Sequence, residues 1–547
     1  MKPTLLTLTL ITLAIISMAA YGQTKKTNPT EVNTMTLTVQ PTFSEKNEPK
    51  IISMWLEGWD MQQVLIDWGD ASIDTIVIEC EDCLKSWTQT HLYAEASIYT
   101  ITITGNLAVL VCDGIHLSSL DVSKNPALHG LSCNDSKLTS LDVSKNSALS
   151  FLECGGNQLK SLDVSKNSAL EYLTCYHNDL KKLDVSKNVQ LRILDCSDND
   201  LKKLDVSKNV QLTKLNCMEN PFKSNLDVCN NIKLEYLDCR RNRITNLDLK
   251  NNIALEYLDC SWNDITNLEV SKNPLLKFLY CRGNDLKKLD LSSNRALVVL
   301  DCVLNDLTNL DIRINTQLTE LLCGDNDLTV LDASKNIKLN KLYCDYNQLT
   351  GLDVSHNPEL EYLECSQNQL ASLDVSNIPQ LVELGCSGNQ LTSLITASST
   401  LLHIVCADNH FTSLDISNNT NLVGLNCASN ELTNLDCSKN TQLVYLDCSK
   451  NQLANLNVSK NILLETIYCH DNQLTNLDIS KNTELEILRC KNNQLTNLDV
   501  SNNTKMRYLG CYNNQLTSLR VLEKLVNDEL LEYDENPKIK IEVIKKK

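Results

Sequence analysis

Cysteine recurs every 21 residues from Cys112 to Cys511, twenty times in all, with one 22-residue step (Cys217 to Cys239) and one 20-residue step (Cys386 to Cys406). Around each stands a version of L-x-x-L-x-C-x-x-N-x-L-x-x-L-D-V-S-K-N, as in residues 149–169, L-S-F-L-E-C-G-G-N-Q-L-K-S-L-D-V-S-K-N-S-A. A unit this short cannot bury its own apolar face. It must stack on the next one, so the chain grows by adding turns rather than by enlarging one core.

Each unit has two halves with one grammar, Leu-x-x-Leu-x-apolar-x-x-Asn. The final Leu and the apolar residue two later point inward and the residue between them points outward, which is the period of a strand. Twenty-one residues leave little room for a helix, and the Val, Ser, Asn and Asp of the second half are poor helix formers. The expectation is a mainly β, right-handed leucine-rich-repeat solenoid of about 20 turns over residues 107–519, with parallel sheets on its concave and convex sides. Asn follows Cys by three places in 18 of the 20 units, and its amide can bond the backbone of its own and adjacent turns. The Asp of L-D-V-S (Asp163, Asp184, Asp205, Asp353) reads as part of a solvated Asp/Ser/Lys face. A calcium ladder would need Gly-rich nonapeptides, which are absent.

The twenty periodic cysteines fill a slot that repeats of this kind give to an inward apolar residue, and free Cys behaves as a small buried hydrophobe. Parallel neighbours ~4.8 Å apart hold their Cβ atoms farther apart than a disulfide accepts. The twenty are therefore expected as reduced core thiols. Cys80 and Cys83 form a lone C-x-x-C that could be a local disulfide or one half of a metal site; with no second pair the zinc signal is weak, and a local disulfide or no bond at all is the expectation; Cys229 and Cys437 stand alone.

Residues 1–22 read as a secretory signal, with Lys2, an apolar run from Leu5 to Ile16, and Ala20-Tyr21-Gly22 before the cut. No other stretch reaches the ~18 apolar residues of a membrane span. The expected location is secreted or cell surface, with the periplasm also compatible. Residues 23–35 read as a disordered leader, 36–106 as a β-rich cap and 520–547 as a C-terminal cap. A formal charge of −18 argues against a phosphate backbone as the main partner, because nucleic-acid binding usually needs a basic face. The eight histidines form no metal-ligand spacing, and no nucleophile-elbow, zincin or phosphate-loop motif appears. The expectation is a non-enzyme without cofactor or metal, and a monomer.

Function then rests with the residues that vary. Four per unit face outward on the concave side: three and one before Cys, and one and two after it. Of 16 tyrosines, 12 occupy these slots, and non-obligate interfaces favour Tyr, Trp and Arg. Good strand propensity accounts for part of this. The densest cluster follows the 22-residue step at Asn220-Pro221-Phe222. It comprises Tyr236, Asp238, Arg240, Arg241, Tyr257, Asp259, Trp262, Phe278, Tyr280 and Arg282, and is the candidate binding hot spot.

Two resemblances follow from these motifs. Trp68-Gly69-Asp70, His91-x-Tyr93 and Tyr99-Thr-Ile-Thr-Ile103 resemble the polycystic-kidney-disease (PKD-like) β-sandwich, with Ala71 and Ser97 where that family has glycine. The inward-Cys repeat and phrases such as N-Q-L-T-x-L-D-V-S-x-N resemble the internalin-J-type cysteine-ladder repeats of bacterial surface proteins. That resemblance implies an exported bacterial solenoid for adhesion or recognition, with a protein ligand; a glycan ligand is the alternative, since Tyr and Trp beside Asp and Asn can also stack on sugars. The chain lacks the family's wall anchor and mucin-binding modules.

Overall fold

The Leu-x-Cys strands pair side by side, in parallel and in register. The computed structural model describes residues 33–41, 51–58, 62–78, 85–222, 225–396, 398–527, 530–533 and 539–544. The expected signal, most of the expected leader and the Cys80–Cys83 pair lie outside the described residues. The chain divides into two units, Met1–Ile265 and Thr266–Lys547.

The first unit opens with eight strands: β1 (Thr34–Val39), β2 (Ile51–Gly58), β3 (Gln62–Asp67), β4 (Ile73–Ile78), β5 (Lys85–Leu92), β6 (Tyr99–Thr104), β7 (Leu107–Val111) and β8 (Leu117–Asp121). One antiparallel sheet runs β4-β3-β6-β1-β8. Met35, Leu37 and Val39 of β1 are buried, and the threonines between them face out, as strand alternation requires. A second antiparallel set joins β5, β2 and β7. Around Trp68 the quoted motif converges: Tyr93 Oη donates to the Trp68 carbonyl at 2.7 Å, Trp68 Nε1 donates to Asp74 at 2.8 Å, and the His91 ring stacks on the Trp68 indole. Gly69 turns the chain at φ +79°, and a Cβ there would lie 2.6 Å from the Thr100 carbonyl oxygen, so no other residue fits.

β7 is the joint. On one edge it pairs antiparallel with β2, and on the other parallel with Gly130–Ser132, the first full rung strand. The edge that a solenoid's first turn would leave bare is thereby paired. From there the rung strands pair without slip to Tyr257–Asp259. The 22-residue step causes no shift, because Leu215 still faces Leu237; the extra residue is taken up outside the strand.

The second unit repeats this from Phe278–Tyr280 to Tyr508–Gly510. The 20-residue step is absorbed in the same way, with Leu384 facing Ile404. Leu531–Glu532 and Lys540–Ile544 then continue the pairing of Tyr508–Gly510 and Ser518–Leu522.

In both units every ladder cysteine is fully buried and unbridged, and burial raises the thiol pKa, to about 12 at Cys386. Several thiols donate to the carbonyl of the next rung, as Cys112 does to Ser132 at 3.2 Å. The Asn column ties rung to rung: Asn157 Nδ2 donates to the Cys133 and Cys154 carbonyls, and its Oδ1 accepts from Leu138 N–H.

The second half of each turn is less strand-like than the alternation suggests. Parallel pairing appears at Leu373–Asp374 with Leu394–Ile395, and at Asn497–Asp499 with Ser518–Leu522. In most turns two side-chain devices hold the segment instead. The Asp carboxylate accepts the N–H two residues on, as Asp163 does from Ser165 at 2.9 Å, closing an Asx turn; those backbone and side-chain bonds lower its pKa. A second Asn column, as at Asn167, donates to Val143 and Asn146 carbonyls one turn back.

Candidate binding face

On the outward side of the rung strands, residues three before Cys form one column and residues one before Cys another. In the first unit these columns bring Lys214, Tyr236 and Tyr257 together, beside Asn216, Asp238 and Asp259. The two tyrosine rings stack at 4.2 Å and 9°, and the Lys214 ammonium sits 4.7 Å from the Tyr236 centroid. Such contacts are worth about 0.5–1.5 kcal/mol each beyond area burial, so the pair forms a preset apolar step.

Asp238 and Asp259 are only 2% and 4% exposed. Arg240 covers them, with Nη1 3.2 Å from Asp259 Oδ2 and Nε 3.5 Å from Asp238 Oδ2, while its Nη2 lies 3.1 Å from Met218 Sδ. Asp238 and Asp259 also accept the backbone N–H of Arg240 and Ser261. Burial, and then the neighbouring Asp259 charge, push the Asp238 pKa up to about 6 against the pull of Arg240. The two aspartates therefore fix Arg240 in place, and the surface offered is Arg240 with the tyrosines.

Arg241 and Trp262 occupy the slot two after Cys, where the backbone is left-handed in rung after rung. That slot suits Gly, Asn and Asp; elsewhere in this unit it holds Gly114, Asp135, Gly156 and Asp198, and also His177 and Glu219. Trp262 sits there at φ +56° with 46% of its surface exposed. A bulky residue in this region is strained by roughly 1 kcal/mol, and one so exposed does not recover that by packing. Arg241 pairs with Glu219 at 3.3 Å across a recess that Asn220 and Pro221 also line.

The remaining three candidates belong to the second unit. Phe278 and Tyr280 are half-buried on the first rung strand of that unit, and Arg282 Nε donates to Asp301 Oδ2 at 3.0 Å, one turn on. The structure brings Arg282 to Asp301, a partner outside the sequence-derived set.

Two further groupings went unread in the sequence. In the first unit, Ser132 Oγ lies 2.7 Å from Asp113 and 2.9 Å from Glu153, and in the adjoining column of the same strands Phe151 stacks on Tyr172. Burial, foremost, raises both carboxyl pKa values. In the second unit, a cavity of about 80 Å³ opens among Tyr343, Tyr362, Glu364, Glu383, Gly385 and His403. Its signal in the sequence was Gly385, which with Gly510 is one of two bare positions in a strand column that elsewhere carries side chains. Among the described residues no cluster of three or more His, Cys, Asp or Glu could hold a metal ion, and no helix is long and apolar enough to cross a membrane.

Among solved structures, the functional domain of InlJ from Listeria monocytogenes, which includes a cysteine ladder, is 30% identical over 77% of this chain and 76% of its own, with a TM-score of 0.36. A leucine-rich-repeat protein of Leptospira interrogans is 24% identical over 67% of this chain and 97% of its own, with a TM-score of 0.56. The Arabidopsis receptor kinase HAESA, in complex with the peptide hormone IDA and the co-receptor SERK1, is 19% identical over 80% and 83%, with a TM-score of 0.65. Neither a family model nor a curated protein matches the chain. The buried cysteine column, the Asn bonds between rungs and the shared architecture lead to one assignment: the chain belongs to the leucine-rich-repeat proteins, with rungs of the cysteine-ladder type.

Proposed function

We propose that this chain is a non-enzymatic, exported recognition module that binds a protein ligand through the outward face of its rung strands. The observation that carries the reading is the patch around Arg240: a guanidinium fixed by two buried aspartates, beside a stacked tyrosine pair, with a strained and half-exposed Trp262 on the adjoining turn. Rigid aromatics and a fixed Arg are what interface hot spots are made of. The peptide hormone held by HAESA gives a precedent on the same fold. The signal-like residues 1–22 support export, to the surface or the periplasm. A protein ligand is favoured over a glycan because the rings of Tyr236 and Tyr257, and of Phe151 and Tyr172, are stacked on each other, so their inner faces are closed to a sugar ring.

The test is joint substitution of Arg240, Arg241 and Trp262 by Ala. The variant should keep its circular dichroism spectrum and lose at least about tenfold in affinity for partners captured by the intact chain, since hot-spot truncations cost 2 kcal/mol or more each. Unchanged retention would reject this patch as the binding site.

A further inference from the structure

We infer that the cavity at Gly385 is a second recognition site, a receptor for one basic side chain of a protein ligand. Four consecutive strands build it: Lys341–Tyr343, Tyr362–Glu364, Glu383–Gly385 and His403–Val405, paired so that Tyr362, Glu383 and His403 form one column and Tyr343, Glu364 and Gly385 the other. Gly385 makes the hollow. A Cβ there would collide with the Glu364 carboxylate, which lies across the bare backbone. Ser366 N–H holds Glu364 Oε1 at 3.0 Å. Gly424 does the same for His403: a Cβ at that position would lie 2.6 Å from His403 Nδ1. Side chains from neighbouring rungs thus fold over two glycines.

The chemistry of the walls is cation recognition. Glu364 and Glu383 have no cationic partner among the described residues, and both carboxylates, after burial itself, raise the Tyr343 pKa. The two tyrosines already take an ammonium: Lys341 Nζ lies 5.8 Å and 5.7 Å from the Tyr343 and Tyr362 centroids. Aromatic faces beside carboxylates bind Lys and Arg heads through cation–π and charge-assisted bonds. A volume of about 80 Å³ suits the end of one side chain; pockets for whole small molecules run to roughly 300 Å³ or more. This site rests on the reading of the strand face as protein-binding, but it lies in the second unit and involves none of the ten candidates.

The experiment uses the full chain and a fluorescent, end-blocked hexalysine peptide, read by anisotropy at physiological salt. Glu364→Gln with Glu383→Gln should weaken binding about tenfold, whereas Asp179→Asn with Asp200→Asn, which removes the same charge from the first unit, should change it less than about twofold. Gly385→Ala, with no change of charge, should also weaken it by displacing Glu364. Equal losses in the two double variants, full binding by Gly385→Ala, or no binding by the unmodified chain would each overturn the site. The Arg240/Arg241/Trp262 variant should bind hexalysine normally, so failure of that patch and failure of this cavity are separately visible.

Discussion

The Cys437 thiol donates to Asn461 Oδ1 at 3.3 Å, and Asn461 is thereby set apart from its column. Most asparagines of the second column, among them Asn440, Asn482 and Asn503, keep a buried Oδ1 with no donor. The residue 24 places before each of these is aliphatic: Ile416, Val458 and Ile479. At Asn461 it is Cys437, and at Asn419 the shortened turn puts Thr396 in that place, with Oγ1 2.9 Å from Asn419 Oδ1. At Asn440, Asn482 and Asn503 the aliphatic residue one turn back thus leaves one amide oxygen unmet.

Thr396→Val, although it restores the commoner aliphatic residue, should destabilise the chain by about 1 kcal/mol by orphaning Asn419. Val164→Thr, which offers a hydroxyl to the unmet Asn188 Oδ1, should be neutral or stabilising by up to about 1 kcal/mol, where a hydroxyl buried without a partner costs roughly 1–3. Urea unfolding of the two variants checks both signs.

Trp262→Asn should raise stability by about 1 kcal/mol, because Asn tolerates the left-handed backbone that Trp resists. The same change should weaken ligand binding. Parallel melting and binding curves decide; a variant that loses both would mean that Trp262 is a structural residue.

In the first unit, Asp238 has a pKa near 6 and Glu57 one near 7, both raised by burial. A carboxyl group whose pKa rises on folding holds more protons in the native state, so stability grows as pH falls through that value. Between pH 7.5 and 5 the protein should therefore become more stable, Asp238 alone contributing about 1 kcal/mol. Below about pH 4 the trend should reverse as the Asx-turn aspartates, whose pKa values are lowered, become protonated. Thermal melts across this range, repeated on Asp238→Asn, should show the variant's slope flattened between pH 6 and about 4.

Thiol reactivity probes the cysteine column. In native protein Cys229, partly exposed on its turn, should label first among the described cysteines, with the buried ladder thiols silent. Denatured, unreduced protein should yield at least ~16 free thiols; fewer would mean that ladder cysteines are bridged.

The rung strands, the inward cysteines and the Asn bonds were legible because each repeats about twenty times, and repetition turns a weak local preference into a fixed address. The left-handed slot was partly legible in retrospect: Gly156, Gly283 and Gly388 stand in it beside Asp and Asn, but it also admits Leu304, Tyr346 and Lys450, so Trp262 is its largest occupant and not its only bulky one. The burial of Asp238 and Asp259 was not legible. It depends on the Arg240 side chain folding back over both, and facing rules for a strand say nothing of how a long side chain lies. The Gly385 cavity escaped for the opposite reason, since what matters there is a missing side chain and the neighbours that lean into the space.

Leu215 facing Leu237 across the longer step, and Leu384 facing Ile404 across the shorter one, have a genealogical consequence. Strand register is indifferent to what happens in the loops, so a whole 21-residue cassette can be duplicated or lost without turning any other residue around. Adding or removing such a cassette would lengthen or trim the outward strand face while every remaining rung kept the residues it already displays.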